Sequence, residues 1–170
     1  MIADIPQIET ERLILRAPQA ADLPTFTAFY ATKRSHLVGG PRDADESFKA
    51  LTSRIGHWAV MGYGLWHLED SETGAFLGWA GLMNPPSWDE PELGWTVFEQ
   101  AEGKGLAFEA VTAARAYAAS HQGLHGVISY IHADNERSAA LAGRLGAVVE
   151  RSGEVLGTPC QIWRHPKEVA

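Results

Sequence analysis

Cysteine is almost missing from the 170-residue chain, which contains Cys160 alone. A single cysteine cannot form an intramolecular disulfide, so the sequence excludes a disulfide-stapled scaffold and favours a reducing compartment, with the cytoplasm as the expected location. We interpret Cys160 itself as a small buried apolar residue. The seven histidines show no metal-ligand spacing either, and we therefore expect no bound metal.

Long apolar runs and an excess of positive charge are also missing. No segment approaches the roughly 20 apolar residues of a membrane-spanning helix, and residues 1–11 lack the basic and then apolar pattern of a signal peptide. A net charge of -7 and an isoelectric point near 5.4 disfavour duplex nucleic acid as a partner. We therefore expect neither a membrane nor a nucleic acid partner. An anionic ligand would have to be bound by backbone amides or a helix N-terminus.

What the chain does contain is an ordinary globular composition, with 45% hydrophobic and 21% charged residues. Its length suits one domain, which we place over residues 1–170. The second predicted helix is expected to begin at Asp43 or Asp45 and to bury Phe48, Leu51, Ile55 and Trp58. Apolar spacing predicts an α/β fold of mixed strand direction, with strands over residues 12–16, 65–68, 76–82, 92–98, 127–131, 147–155 and 160–164.

The most informative stretch is a predicted strand, a glycine-rich turn and an alanine-rich helix over residues 93–118. Gly103 and Gly105 remove side chains where the backbone must approach a ligand, and the helix start adds unpaired N–H donors. The turn is not a dinucleotide fingerprint, because Phe108 stands where a third glycine would be, nor is it a Walker loop. The pattern indicates a backbone cradle for phosphate, with a turn that serves only tight packing as the alternative.

With these residues the sequence resembles the Gcn5-related N-acetyltransferases, and more narrowly their RimJ/RimL-type branch of ribosomal-protein-alanine acetyltransferases. Gly105 and Ala107 fill the last two positions of the family's diphosphate motif, Gln/Arg-x-x-Gly-x-Gly/Ala, whereas Glu102 departs from its first. An acidic side chain there is unfavourable unless it points to solvent. The stretches that carry the resemblance are residues 10–16 (TERLILR), 64–66 (GLW), 77–82 (LGWAGL), 92–95 (ELGW), 103–107 (GKGLA), 135–138 (NERS) and 144–147 (RLGA).

The resemblance implies a fold, a donor and a set of donor-binding residues. The fold is a single mixed, mostly antiparallel sheet flanked by helices and splayed between its fourth and fifth strands, where pantetheine inserts. The donor is acetyl-CoA, and the reaction is acetyl transfer to a primary amine. Backbone groups of Val97 and Phe98 would pair with pantetheine, and Asn135 and Ser138 would contact it near the thiol. The amides expected to hold the diphosphate are those of Gly103, Lys104, Gly105, Leu106 and Ala107.

The chemistry needs a base for the amine, a donor for the oxyanion and a way for the thiolate to leave. Many relatives supply a tyrosine as general acid; here Ala142 stands at that position, and Ser138 is the nearest substitute or else a contact or capping hydroxyl. Glu92, two residues before Gly94, is the first candidate base, with an exposed or ion-paired carboxylate as the alternative. His132 is a further catalytic candidate, unless it is a satisfied polar histidine.

The acceptor is left open between a protein N-terminus and a small-molecule amine, and the net negative charge leans toward a basic one. Trp88 is expected either at the acceptor pocket or as a rim-packing residue, and residues 33–42 and 153–159 are its expected walls. Two other functions are kept as alternatives: a catalytically silent acyl-CoA-binding sensor or interaction module, and a phosphate-binding domain for another nucleotide. The oligomeric state also stays open, with a homodimer among the alternatives.

Overall fold

The computed structural model describes residues 4–167, which form four α-helices and eight strands. The helices are α1 (Leu23–Tyr30), α2 (Ala44–Met61), α3 (Leu106–Gln122) and α4 (Glu136–Arg144). The strands are β1 (Ile8–Glu9), β2 (Leu13–Arg16), β3 (Leu65–Asp70), β4 (Phe76–Met83), β5 (Glu92–Val97), β6 (Ile128–Ile131), β7 (Val148–Val155) and β8 (Thr158–Arg164). These elements confirm the predicted α/β class.

The strands form one mixed sheet in the order β1-β2-β3-β4-β5-β6-β8-β7. Strands β5 and β6 are parallel and are connected through α3, while the other neighbouring pairs are antiparallel. This arrangement confirms the expected mostly antiparallel sheet. Because the short strand β1 precedes the first predicted strand, the predicted fourth and fifth strands correspond to β5 and β6.

Strands β5 and β6 separate almost as soon as they meet. Six residue pairs join β4 to β5, whereas β5 and β6 share the single pair Glu92 and Ile128. One residue further, the hydroxyl of Ser129 donates to the carbonyl oxygen of Leu93 at 2.6 Å, so a side chain replaces the next rung of the ladder. Beyond this point the sheet is open, which is the splay that the family resemblance implies.

The two faces of the sheet pack against different helices. Leu93 points toward α3 and belongs to the larger apolar core. Trp79 points to the opposite face, where it packs on the aromatic side chains of α1. Residues directly paired across two strands share a face. The pairing of β4 with β5 therefore places Glu92, Gly94 and Thr96 on the face that α1 and α2 cover.

The buried face of α2 differs from the predicted one. Asp43 caps this helix by accepting a backbone N–H of its first turn at 2.8 Å, as one of the two predicted caps. Leu51 and Trp58 are buried as predicted, but Phe48 is 54% exposed, and Arg54 is buried in its place. The rotation of the helix about its axis is set by the aromatic cluster under it, which apolar spacing alone does not reveal.

Candidate active site

The glycine-rich turn between β5 and α3 presents a row of unpaired amides. Gly103 and Gly105 have φ values of 72° and 76°, a left-handed conformation that glycine adopts without strain. Gly105 is the N-cap of α3, and no side chain caps this end. Within residues 4–167, no protein acceptor bonds the N–H groups of residues 103–108. The turn therefore offers the free donors and the positive helix end that a diphosphate requires.

The start of β2 holds this turn in place. Arg12 donates through Nη1 to the carbonyl oxygen of Lys104 and through Nε to the carboxylate of Glu109, both at 2.8 Å. Glu109, in the first turn of α3, also accepts from the hydroxyl of Thr10 at 2.7 Å. Desolvation acts to raise the pKa of Glu109, but these hydrogen bonds together outweigh desolvation and lower it. Two motifs that lie far apart in sequence thus form one support for the turn.

Glu102, which departs from the family motif, is neutralised by two arginines. Its carboxylate forms ion pairs with Arg34 and with Arg137. Arg34 lies in the 3-10 helix that follows α1, and Arg137 lies in the first turn of α4. The sequence suggested that this carboxylate is tolerated only if it faces solvent. In the structure, ion pairs with arginines balance its charge instead. Arg34 also lies 3.9 Å from the carboxylate of Glu99, so two cations and two anions balance one another at this position beside the turn.

The backbone of β5 faces the open gap only at alternate residues. The N–H of Phe98 donates to the carbonyl oxygen of Leu77, and the carbonyl oxygen of Phe98 accepts from the N–H of Ala101, both at 2.8 Å. Both backbone groups of Phe98 are therefore engaged, which contradicts its expected pairing with pantetheine. Because amide directions alternate along a strand, Trp95 and Val97 direct their backbone groups away from β4 and toward the gap. The backbone groups of Val97 and Trp95 are therefore the ones in β5 that could pair with pantetheine in the gap.

A cavity of about 300 Å³ extends from the α1 and α2 face of the sheet into the gap beside β5. The segment expected to be a loop at residues 33–42 contains the 3-10 helix Lys33–Val38 and forms one wall. The turn between β7 and β8 forms another wall, and the proline-rich loop before β5 a third. The lining residues from these three segments are Leu37, Val38, Arg42, Pro85, Ser87, Trp88, Val155 and Leu156.

Glu92 lines this cavity at the point where β5 and β6 separate. Its Oε1 accepts from the backbone N–H of Tyr130 at 3.2 Å. Its Oε2 lies 3.4 Å from where a Cβ on Gly94 would be, so the absence of that side chain leaves space beside the carboxylate. Burial raises the pKa of Glu92 to about 7, although the hydrogen bond from the N–H of Tyr130 acts to lower it. A carboxyl group with this pKa exchanges protons near neutral pH.

The other predicted site residues lie across the gap from Glu92. His132, Asn135 and Ser138 all line the cavity. The side chain of Asn135 caps α4 by accepting the N–H of Ser138 at 3.2 Å, so its carbonyl oxygen also has a structural role. Ala142 is fully buried beside Ile131 and Ala147 in a small apolar cluster, and the tyrosine of many relatives is absent from this position.

Two of the polar cavity residues that the sequence analysis did not single out are Arg54 and Tyr130. Arg54 follows Leu51 by three positions and precedes Trp58 by four, so its helical spacing already put it on the buried face. Its charge argued against that placement, because buried arginines are rare. Tyr130 precedes His132 by two positions, and strand alternation would have assigned both side chains to one face.

Cys160 is a buried free thiol, as interpreted from the sequence, and burial raises its pKa. None of the helices between residues 4 and 167 is long and apolar enough to cross a membrane. The same stretch of chain holds no group of three or more His, Cys, Asp or Glu side chains arranged to bind a metal ion.

The sequence and the fold have counterparts in known proteins. A family model described as "Acetyltransferase (GNAT) domain" matches residues 12–148. Over 158 residues the chain is 28% identical to [Ribosomal protein uS5]-alanine N-acetyltransferase of Escherichia coli K12, covering 85% of this chain and 80% of that protein. The solved acetyltransferase of Agrobacterium tumefaciens str. C58 is 34% identical, covers 95% of each chain and superposes with a TM-score of 0.88.

A second solved structure has the same fold with a ligand bound. RimL, named as a ribosomal L7/L12 α-N-protein acetyltransferase in complex with coenzyme A, superposes with a TM-score of 0.76 at 17% identity. The superposition covers 94% of this chain and 96% of that one. Because the family model spans most of the chain and agrees with the splayed sheet and the open turn, this protein belongs to the GNAT acetyltransferase family and is an N-acetyltransferase.

Proposed function

We propose that the protein transfers the acetyl group of acetyl-CoA to a primary amine by direct attack of the amine on the thioester, with Glu92 as the general base. The observation that carries this proposal is the position and chemistry of Glu92. Its carboxyl group lines the cavity where the sheet opens, and burial raises its pKa to about 7. A base near this pKa is partly ionised at neutral pH and still basic enough to accept a proton.

The donor site follows from unpaired backbone groups. The amides of residues 103–108 bind the diphosphate, and the gap-facing groups of Trp95 and Val97 pair with pantetheine. The ion pairs of Glu102 with Arg34 and Arg137 remove the repulsion that its carboxylate would exert on the same anion. When bound, acetyl-CoA supplies the activated acyl group. Fixed donors of this kind require no reorganisation as the ligand binds, which is why a chain with a net charge of -7 can hold a polyanion.

Proton transfers are assigned to groups that line the cavity. Glu92 removes a proton from the ammonium or the attacking amine, the new C–N bond forms, and an N–H of β5 stabilises the oxyanion. The C–S bond then breaks and coenzyme A leaves as a thiolate, which needs little assistance because thiol pKa values lie near 8.5. The hydroxyl of Ser138, on the cavity wall, is the candidate proton donor to the sulfur, and His132 is a second group for proton exchange.

The relatives support an amine as the acceptor but do not identify the class of amine. The Escherichia coli relative is named for an alanine of ribosomal protein uS5, so a protein N-terminus is one class of acceptor and a small-molecule amine is the other. Trp88 lines the cavity and packs against Tyr130, with ring centroids 5.5 Å apart, in the place expected for an acceptor wall. A screen of peptide N-termini and small amines, read as thiol released from acetyl-CoA, identifies the class.

The role of Glu92 is tested by the pH dependence of kcat/KM for Glu92→Gln. In the native enzyme we expect kcat/KM to rise with pH through about 7, because only the ionised carboxylate accepts a proton. Glu92→Gln is expected to lose this inflection and to lower the rate by about 10²- to 10⁴-fold, with an unchanged Kd for acetyl-CoA. Glu72→Gln, in the exposed turn between β3 and β4, is the control. An inflection that persists in Glu92→Gln excludes Glu92 as the base.

The sequence left a silent acyl-CoA sensor open as an alternative, and the GNAT domain match and the named N-acetyltransferase relatives favour the enzyme. Ala142 fills the position of the usual acid with a buried methyl group, so any general acid must come from another residue. We expect free thiol to be released from acetyl-CoA across the amine panel, and tight binding of acetyl-CoA without product on any amine would contradict the proposed reaction.

A further inference from the structure

Arg54 projects from the buried face of α2 into the cavity wall and is only 7% exposed. Its guanidinium lies over the ring of Trp79 at 4.0 Å and over that of Phe26 at 4.6 Å. Its side-chain hydrogen bond joins Nη1 to Nε2 of His67 at 3.1 Å. The hydroxyl of Tyr30 interacts with the same guanidinium, and no carboxylate within residues 4–167 pairs with it.

A buried chain of hydrogen bonds orients Arg54 without neutralising it. Because a guanidinium can only donate, Nε2 of His67 is the acceptor, and Nδ1 of the same ring donates to Asp22 at 2.7 Å. Burial lowers the pKa of His67 to about 4, so the imidazole is neutral at pH 7. Asp22 in turn accepts two hydrogen bonds from Arg16, at 2.8 and 2.9 Å. The positive charge of Arg54 therefore has no direct partner.

A second guanidinium borders the same cavity. Arg42 lies 4.6 Å over the ring of Tyr30, which stacks on Trp79 with centroids 5.8 Å apart. Its Nε donates to the carbonyl oxygen of Gly39 at 3.2 Å, and no carboxylate in the described part of the chain forms a salt bridge with it. Burial is the main cause that lowers the pKa of Arg54 to about 10, and the charge of Arg42 lowers it further. Both side chains are therefore cations at neutral pH.

The two arginines and Glu92 lie at separated levels of one face of the sheet. Arg54 covers Trp79, whose partner in the β4–β5 ladder is Thr96. Glu92 lies four residues away on the same strand and the same face, which corresponds to about 13 Å along the backbone. A ligand in this cavity would therefore contact a proton acceptor at one position along β5 and a pair of cations at another.

We propose that the acceptor amine also carries a carboxylate, which Arg54 and Arg42 bind while the amine faces Glu92. This assignment deepens the proposed function and rests on it. The net charge of -7 favours a basic partner at long range, but charge-assisted hydrogen bonds inside a cavity are short and poorly screened, and they outweigh a field that salt screens within about 10 Å. The carboxylate has two sources, a free amino acid or an acidic residue near the N-terminus of a peptide.

Matched acceptors test the carboxylate requirement. One pair is a tripeptide amide with alanine first and glutamate second, against the same peptide with glutamine second. The other pair is free glutamate against glutamine α-amide, which carries no carboxylate. In at least one pair we expect the carboxylate form to have a kcat/KM about tenfold or more above that of its amide. The pair that shows the difference identifies the source of the carboxylate, and equal kcat/KM values within both pairs overturn the proposal.

Variants then test the two arginines. Arg54→Gln and Arg42→Gln are each expected to raise KM for the carboxylate acceptor about tenfold or more while leaving KM for the amide counterpart within about twofold. Lys49→Gln, an exposed cation on α2 outside this cavity, is the control and changes neither value. Since Arg54 is buried, thermal unfolding of Arg54→Gln is measured as well, and the partly exposed Arg42 supplies an independent variant. An equal loss on both acceptors in both variants contradicts the assignment.

Binding without turnover separates this inference from the proposed function. Calorimetry with N-acetylglutamate, in the presence of coenzyme A, measures the carboxylate subsite directly. Saturable binding that Arg42→Gln weakens supports the subsite even if no amine is acetylated, an outcome that overturns the proposed function alone. Turnover of neutral amines with no binding of N-acetylglutamate overturns the carboxylate subsite alone.

Discussion

At the scale of single residues, the site depends on a few groups whose surroundings change their ordinary chemistry. Glu92 is a carboxylic acid whose pKa burial raises to about 7, so it is only partly ionised near neutral pH, and His67 is an imidazole that burial keeps neutral although it lies beside a carboxylate. Gly103 and Gly105 contribute by having no side chain at all. In each case the function comes from the environment of the residue and from its chemical type together.

The raised pKa of Glu92 predicts a pH-dependent stability. The folded pKa of about 7 lies above the ordinary 4.5, so the folded chain binds the proton more tightly. The stability from this group is complete below about pH 4.5 and is lost as pH rises toward 7. Allowing for partial exposure, Glu92→Gln is expected to raise the free energy of unfolding by about 1 to 2 kcal/mol at pH 8 and to leave it unchanged at pH 4.5.

Urea denaturation at both pH values measures this difference. Glu72→Gln again serves as the exposed control and is expected to have no effect at either pH. An equal effect of Glu92→Gln at pH 4.5 and pH 8 would mean that the carboxyl group is not desolvated in the folded protein.

The glycines of the turn support a second prediction with a closely matched control. Gly105 and Gly62 have the same φ of 76°, but Gly105 begins α3 at the proposed diphosphate site whereas Gly62 ends α2. Substitution by alanine at either position is expected to cost about 1 kcal/mol of stability, since both must hold a left-handed conformation. Calorimetry should show a weaker Kd for acetyl-CoA in Gly105→Ala only, by about tenfold. The same Kd in both variants would remove the turn from the donor site.

At the scale of secondary-structure elements, long-range contacts assemble what short motifs only suggest. The hydrogen bonds of Glu109 to Thr10 and Arg12 explain why residues at the start of β2 and residues in the first turn of α3 both carry the family resemblance. Periodicity predicted both elements correctly. It could not predict this contact, because the residues are separated by almost a hundred positions in the chain.

Loss of this support should loosen the turn. Glu109→Ala leaves the guanidinium of Arg12 without its carboxylate partner and frees the carbonyl of Lys104 to move. We expect the Kd for acetyl-CoA to rise by about three- to tenfold, because the amides of the turn are no longer held in one arrangement. Glu11→Ala removes an exposed carboxylate from the same β1–β2 connection and is the control. A Kd that changes equally in both variants would indicate a charge effect only.

The remaining element-scale differences from the sequence analysis have a common cause. Apolar spacing placed α2 correctly along the chain, but its rotation follows from aromatic rings on α1 and β4 that accept the cation of Arg54. Strand propensity located β5, yet which of its amides face the gap depends on its register with β4, and this register engages Phe98. The rotation of α2 and the register of β5 are each set by contact between two elements, so the sequence of one element alone does not reveal them.

At the scale of the whole molecule, the net charge limits how an anion can be bound, and the topology determines which residues come together in the cavity. A net charge of -7 disfavours a broad basic surface, and we propose instead that anions are bound by oriented amides in one place and by two guanidiniums in another. The order of motifs along the chain predicted the fold and the family. It did not predict the full lining of the cavity, because one residue of α1, three of α2, five of β5 and two of β6 come together there only in the folded chain.

The central claim is that main-chain amides of the turn and of β5 bind the donor, and an amide-resolved titration tests it most directly. In 15N-labelled protein titrated with acetyl-CoA, the N–H resonances of residues 103–108, Trp95 and Val97 should shift together and saturably, and that of Phe98, already bonded to Leu77, should shift less. Saturable binding that leaves the resonances of residues 103–108 in place would contradict the account.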